Sequence, residues 1–216
     1  MTRRVLLLAI TALALVTVSG CIGGGGGQAP PPVDQGAVKA AIGAVIDGFE
    51  DAVEAYDVDG MLACLSGAGF KLTLSEAEYS YTKDFTTLQG ELEDDEEDQL
   101  RWRQPEPQGF GYALDLVLGT QTFSNITATG AIVTQTHEVY ESATALGISP
   151  DDPLKTDNGT ITWQFAKISG EWKATAMTIT FDRAPQAGAA ARAARADGSE
   201  RYGFFGRLPG QERWRR

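Results

Sequence analysis

Cysteine and histidine are scarce in this chain of 216 residues, which has two cysteines and one histidine, His137. Structural zinc sites need a group of such ligands at short spacing, and the sequence contains no such group. We therefore expect no metal and no cofactor. Cys64 lies in the apolar segment Met61–Leu65, where a thiol behaves as a small buried hydrophobe. The fold must therefore be held together by packing.

Basic residues are also scarce in the central part of the chain. Between residues 36 and 182, 25 acidic residues face 8 basic ones, whereas residues 183–216 contain eight arginines and three acidic residues. Phosphate contacts require a basic surface, so the central region is not expected to bind nucleic acid. The final segment is rich in Arg, Ala and Gly, a composition that predicts a disordered tail.

The N-terminus has the layout of an export signal. Arg3 and Arg4 precede an apolar stretch of 14 residues, Val5 to Val18, which is shorter than the roughly 20 residues that span a bilayer. Charged, apolar and small-residue regions follow one another as in a secretory signal peptide. The alternatives are a transmembrane anchor, or a signal peptide in which the following cysteine has no role.

The segment Val18-Ser19-Gly20-Cys21 resembles the lipobox of prokaryotic lipoproteins. The resemblance implies that residues 1–20 are removed and that Cys21 carries the lipid. The protein would then be extracytoplasmic and anchored to the cell membrane or envelope. Only Cys64 would remain as a free thiol, which excludes an internal disulfide.

The segment 21–35 predicts a tether between the lipid and the domain. It contains a run of glycines, residues 23–27, and three prolines, residues 30–32. Glycine runs are flexible and proline runs are extended. The 147 residues from 36 to 182 then match the usual size of one domain.

The domain begins with a predicted amphipathic helix. Apolar residues recur at steps of three and four between Val38 and Tyr56, and Asp34 is a candidate N-cap. Gly43 and Gly48 would be explained by close approach to a sheet. A short second helix starts at Asp57 or Asp59 and carries Met61, Leu62 and Leu65.

Period-two alternation predicts strands in the rest of the domain. The predicted strands are residues 70–75, 112–118, 129–140, 159–167 and 172–181. A third helix starts near Phe85 and runs into the acidic segment 91–98, which reads as helix or loop. Asp157-Asn158-Gly159 predicts a turn before the closing hairpin. Helices followed by antiparallel strands indicate an α+β domain.

This order resembles the nuclear transport factor 2-like, or cystatin-like, family. The residues that carry the resemblance are Phe49 to Leu62, the strand Gly159 to Lys167, and Gly170-Glu171-Trp172-Lys173. The resemblance implies N-terminal helices packed on a curved, mainly antiparallel sheet shaped as a cone around a cavity. In this family the cavity is sometimes catalytic and often a binding pocket.

Six residues are candidates for lining such a pocket: Tyr56, Tyr79, Asp115, His137, Trp163 and Trp172. Asp115 shares a strand face with Ala113 and Val117, where it is a base with a raised pKa, a solvated carboxylate, or the partner of a neighbouring lysine. The orientation of His137 is left open, and the aromatic residues line a pocket or belong to the core. The family's catalytic residues do not map onto this sequence, so no catalytic residue is predicted.

Three functions remain at this point. The first is a non-enzymatic, membrane-anchored protein whose cone domain binds a small apolar ligand or a peptide. The second is an accessory subunit whose sheet face forms a homodimer or meets an envelope protein. The third is an isomerase- or dehydratase-like enzyme that uses Asp115, Tyr56 or His137.

Overall fold

The computed structural model describes residues 32–76 and 79–182. Cys21, the tether up to residue 31 and the Arg-rich segment 183–216 lie outside the described residues, so their predictions remain predictions. The elements in chain order are α1 (Gln35–Ala55), α2 (Val58–Ala63), β1 (Lys71–Glu76), β2 (Tyr79–Asp84), α3 (Phe85–Arg103), β3 (Tyr112–Leu118), β4 (Thr122–Ser124), β5 (Gly130–Ala143), β6 (Leu154–Ile168) and β7 (Glu171–Phe181). None of the described helices is long and apolar enough to cross a membrane.

Side-chain caps fix where the first two helices begin. The Asp34 carboxylate accepts a hydrogen bond from the Ala37 N–H at 3.0 Å, as predicted. The Asp57 carboxylate accepts one from the Gly60 N–H at 3.0 Å, so Asp57 rather than Asp59 starts α2. Between the two helices Tyr56 adopts a left-handed conformation with φ of 53°. This residue ends α1 and turns the chain directly into α2.

The strands form one seven-stranded sheet in the order β2-β1-β7-β6-β5-β3, with β4 paired to β5. β1 and β7 are parallel, and the other pairs are antiparallel. The α+β class with a mainly antiparallel sheet is therefore confirmed. The Ser169-Gly170 turn joins β6 to β7, and both residues have positive φ, which suits a tight hairpin turn.

The core lies between α1 and one face of the sheet, here called the inner face. Alternate residues of β5, β6 and β7 are buried on that face, including Val133, Trp163 and Ile179. The ring of Trp163 meets the ring of Phe49 on α1 edge-on, with centroids 5.1 Å apart. Such a pair contributes about 0.5–1.5 kcal/mol beyond the area that it buries.

Two strands were missed by the sequence predictions, and the structure decides between helix and loop for the acidic segment. β2 and β4 were not predicted. The acidic segment 91–98 belongs to α3, whose buried Leu88, Leu92 and Trp102 hold this helix against the rest of the domain. Burial of a few apolar side chains thus keeps a strongly acidic segment helical.

The predicted turn at Asp157-Asn158-Gly159 is wrong, because these residues lie inside β6. Gly159 pairs with His137 of β5 and Phe181 of β7. A Cβ atom at Gly159 would lie 1.9 Å from the Thr180 carbonyl oxygen and 3.0 Å from His137 Cε1. The glycine therefore permits close packing of strands and does not form a turn.

The explanation offered for Gly48 is also wrong. Gly48 is exposed in α1, and a Cβ atom there would have no described atom within 4 Å. Since glycine in a helix interior costs about 1 kcal/mol relative to alanine, we expect Gly48→Ala to raise the free energy of unfolding by about that amount. Urea unfolding of the two proteins measures the difference. A loss of stability would show that this position needs glycine.

Candidate functional site

The inner face carries polar side chains as well as apolar ones. Gln135, His137, Glu141 and Asp157 are all buried there, with exposed fractions between 0% and 3%. The first three come from β5 and the fourth from β6. Burying polar groups in an apolar interior costs free energy unless each finds a hydrogen-bond partner. This set is therefore the candidate functional site of the described domain.

Gln135 and Trp163 form the first part of the site. Gln135 lies opposite Ile161 of β6, and Trp163 lies opposite Val133, so the two are diagonal neighbours on the inner face. Both amide atoms of Gln135 and the indole Nε1 of Trp163 are buried and have no hydrogen-bond partner among the described residues. Leaving such an atom buried and unpaired costs about 1–3 kcal/mol.

His137 forms the second part. It is 1% exposed and lies opposite Gly159 of β6 and Leu118 of β3. Its ring meets the Phe181 ring edge-on at a centroid distance of 5.8 Å. The orientation that the sequence left open is thus inward, and Gly159 leaves the space in which the imidazole ring lies.

Tyr112 and Glu141 form the third part. The Tyr112 hydroxyl donates a hydrogen bond to Glu141 Oε1 at 2.7 Å, and this contact is buried. The pKa of Tyr112 is raised well above its ordinary value. Burial is the largest cause, and the neighbouring Glu141 carboxyl is the second. The phenol therefore stays protonated at neutral pH and can donate this bond.

Arg103 joins this part of the site to the end of α1. Its guanidinium donates to the Glu54 carbonyl oxygen and lies 5.9 Å from the Tyr56 ring centroid and 5.5 Å from that of Tyr112. The last carbonyls of a helix lack partners within the helix and carry negative partial charge. The position of Arg103 thus stabilises the α1 terminus and orders the two tyrosine rings.

The free edge of β3 is covered by carboxylates of α1. Glu54 accepts a hydrogen bond from the Leu116 N–H at 3.0 Å, and Glu50 accepts one from the Leu118 N–H at 3.3 Å. The two glutamates are one helical turn apart on α1. This spacing matches the distance between the Leu116 and Leu118 N–H groups on β3, which point to the same edge. This arrangement satisfies the edge without another strand.

The pKa of the Glu54 carboxyl is raised above its ordinary value. Partial burial is the main cause; the hydrogen bond from the Leu116 N–H opposes it, and the hydrogen bond and charge of Asp115 add to it. A carboxyl with a raised pKa binds its proton more tightly in the folded state. The free energy of unfolding should therefore fall as pH rises from the ordinary pKa of the carboxyl through the raised one.

Glu54→Gln keeps an oxygen for the Leu116 N–H and removes the titration. Urea unfolding at several pH values between about 4 and 8 should show a smaller fall in this variant than in the wild type. Glu93→Gln, at an exposed position on α3, serves as the control. Parallel curves for wild type and Glu54→Gln would contradict the assignment.

The structure brings only some of the predicted pocket residues together. His137 and Trp163 lie on the inner face, and Tyr56 lies beside Arg103 at the end of α1. Trp172, at the start of β7, belongs to the same apolar core cluster as Trp163. Asp115 is exposed on the opposite face of β3 and is therefore not part of the site. Tyr79 begins β2, but its side chain lies outside the described residues.

Sequence reasoning missed five residues of the site: Arg103, Tyr112, Gln135, Glu141 and Asp157. One signal was present in the sequence. Val133 and Val139 lie at odd-numbered positions of β5, as do the three polar residues that β5 contributes to the site. Alternate residues of a strand share one face, so the two valines could have indicated that these polar residues point inward. Among the described residues, no group of three or more Cys, His, Asp or Glu side chains is arranged to hold a metal ion.

The fold is the cystatin-like, nuclear transport factor 2-like α+β fold, with helices packed on an open, curved, mixed sheet. This prediction is therefore confirmed. A protein proposed to be the β subunit of an aromatic-ring-hydroxylating dioxygenase from Novosphingobium aromaticivorans matches with a TM-score of 0.52 at 11% identity, covering 69% of this chain and 92% of that one. A protein of the same organism proposed to be a scytalone dehydratase matches with a TM-score of 0.51 at 12% identity, covering 69% and 87%.

A nuclear transport factor 2-like protein with a cystatin-like fold, also from Novosphingobium aromaticivorans, matches with a TM-score of 0.48 at 15% identity, covering 72% of this chain and 86% of that one. No protein-family model and no curated protein matches the sequence. At such low identities the structural matches show the fold and nothing further, because one fold supports many unrelated functions.

Proposed function

We propose that this protein is an extracytoplasmic lipoprotein whose domain binds a small molecule on the inner face of the sheet and does not transform it. The observation that carries the proposal is the pair formed by Gln135 and Trp163. Three of their polar atoms are buried without a hydrogen-bond partner among the described residues. A bound molecule with an apolar body and a polar group would supply these partners.

Energetics support this proposal. Each unpaired buried polar atom costs about 1–3 kcal/mol, which is a large fraction of the roughly 5–15 kcal/mol that stabilises a typical domain. An apolar side chain at position 135 would remove part of this cost. A ligand that binds only the folded state would offset the cost and stabilise the domain further.

Membrane attachment is supported by the sequence at the N-terminus. The lipobox-like segment Val18–Cys21 is followed by the glycine- and proline-rich residues 22–35. A lipid on Cys21 with this tether would hold the binding domain outside the cytoplasm and near the membrane.

The two other functions are less well supported. The enzymatic alternative would use Asp115, Tyr56 or His137, and these side chains lie apart. Asp115 is exposed on the outer face, His137 is buried on the inner face, and Tyr56 lies beside Arg103 at the end of α1. The subunit alternative needed an apolar outer sheet face. A row of hydroxyl side chains instead crosses that face from strand to strand: Thr122, Thr134, Thr162, Thr178, Thr73 and Thr82.

Native mass spectrometry of the intact protein, extracted in mild detergent from its own membranes, tests this proposal. We expect a monomer that carries the lipid and, in addition, a bound molecule of a few hundred daltons. The Cys21→Ser variant should lose the lipid mass and leave the membrane fraction while it retains the bound molecule. A monomer without any bound molecule would contradict the binding function, and a Cys21→Ser protein that remains in the membrane would contradict the anchor.

A further inference from the structure

We infer that the ligand is an uncharged molecule that presents a hydrogen-bond donor next to an acceptor, as a primary or secondary amide or a lactam does, to Gln135 and Trp163. This inference rests on the proposed binding function and names the chemical class that the same site would select. Three observations carry it: the atoms of the two side chains that lack hydrogen-bond partners, the positions of the side chains on the sheet, and their apolar surroundings.

The geometry places the two side chains within reach of one ligand group. Diagonal neighbours on one face of an antiparallel pair lie about 7–8 Å apart, and Gln135 and Trp163 hold that relation on β5 and β6. Their surroundings are apolar: Val133 and Ile161 are fully buried beside them, and the Phe49 ring packs on Trp163. One small group between the two side chains could therefore contact both.

The pattern of donors and acceptors narrows the chemistry. The amide of Gln135 offers a donor at Nε2 and an acceptor at Oε1, and both lack a partner among the described residues. An ester or ketone can accept from Nε2 but has nothing to donate to Oε1. An amide edge satisfies both atoms at once, in the way that glutamine pairs with an adenine edge. The indole N–H of Trp163, which is a donor only, would bind the second lone pair of the ligand carbonyl.

The surroundings of Gln135 and Trp163 disfavour an anion. Neither side chain carries a positive charge, and their neighbours Val133 and Ile161 are apolar and fully buried. A carboxylate ligand would have to leave water and would also place a negative oxygen close to Gln135 Oε1. A neutral amide avoids both costs. We therefore expect the site to bind an amide more tightly than a carboxylate of the same shape.

Three probes with one apolar body test the inference: naphthalene-2-carboxamide, methyl naphthalene-2-carboxylate and naphthalene-2-carboxylate. Binding to the full-length protein in detergent is measured by isothermal titration calorimetry at neutral pH. We expect the carboxamide to bind at least about tenfold more tightly than the ester, and the carboxylate to bind more weakly than either. Equal affinities of carboxamide and ester, or no binding of the carboxamide, overturns the inference.

Two glutamine variants provide the matched comparison. Gln135→Met removes the buried amide with little change in volume, and Gln164→Met makes the same change at an exposed position of β6. The first should lower the affinity for the carboxamide to that for the ester, and the second should leave all affinities unchanged. A Gln135→Met protein that still prefers the carboxamide overturns the inference.

Stability of the ligand-free protein provides a second readout that does not depend on the probes. Because the amide of Gln135 lacks a partner, its removal should raise the midpoint of thermal unfolding, whereas Gln164→Met should leave it unchanged. A lower midpoint for Gln135→Met overturns the inference. If native mass spectrometry finds a bound molecule without an amide-type edge, this inference fails while the proposed binding function stands.

Discussion

Replacement of Gly159 by alanine should lower the free energy of unfolding by about 3 kcal/mol, the upper end of the usual cost of overpacking. The added Cβ would lie 1.9 Å from the Thr180 carbonyl oxygen, an atom of the paired strand β7. A side chain could rotate away, but this oxygen belongs to the ladder that joins β6 to β7. The two strands would have to separate, and the His137 ring, 3.0 Å from the same Cβ, would have to move as well.

Urea unfolding of Gly159→Ala against wild type measures this effect, and Gly48→Ala is the matched control. The same substitution is expected to stabilise at position 48 and to destabilise at position 159, so an effect of alanine in general is excluded. A loss below about 1 kcal/mol at position 159 would show that β6 and β7 can move apart at little cost. Glycine would then not be required at this position for the packing of the inner face.

Removal of the Tyr112 hydroxyl in Tyr112→Phe should cost about 2–3 kcal/mol. Glu141 is fully buried, and the Tyr112 hydroxyl donates to it at 2.7 Å. Phenylalanine fills the same space but cannot donate, so a buried carboxyl oxygen loses this partner. The cost of desolvating that oxygen then remains without its compensation.

The outer face supplies a control of the same chemistry. The Tyr140 hydroxyl donates to Glu138 Oε2 at 2.6 Å, but this pair is only partly buried, and the Glu138 side chain is 42% exposed. Tyr140→Phe should therefore change the free energy of unfolding much less, because water replaces the lost donor. Similar losses in the two variants would contradict the view that burial makes the Tyr112–Glu141 contact important.

Much of the fold could be predicted because its elements have regular apolar periodicity. The bounds of β3 match the prediction, and α1 and the β6–β7 hairpin were recognised. β2 was missed although Tyr79-Ser80-Tyr81-Thr82 alternates. It is a short edge strand, and the face that carries Tyr81 continues with the polar Lys83, so the apolar pattern on that face is brief.

The error at Gly159 has a different cause. Asp-Asn-Gly is favourable turn chemistry, and nothing in the local sequence shows that His137 and Thr180 approach the glycine from neighbouring strands. The need for glycine there arises from tertiary contacts. Local sequence reasoning cannot distinguish this need from a turn.

The candidate site was predicted in part. His137 and Trp163 were chosen because histidine and tryptophan are rare and chemically distinctive. Gln135 and Glu141 were not chosen, since a polar residue in an alternating strand is ordinarily assigned to the solvent side. Their burial shows that these two side chains face the core, and the parity of Val133 and Val139 was the signal available in the sequence.

Occupation of the inner face by a small molecule at Gln135 and Trp163 is tested most directly by a crystal structure of the protein, purified intact from its own membranes. We expect density for an organic molecule with polar atoms about 3 Å from Gln135 Nε2 and Oε1 and from Trp163 Nε1. Ordered water alone at these atoms, or a side chain of the protein that satisfies them, would contradict it.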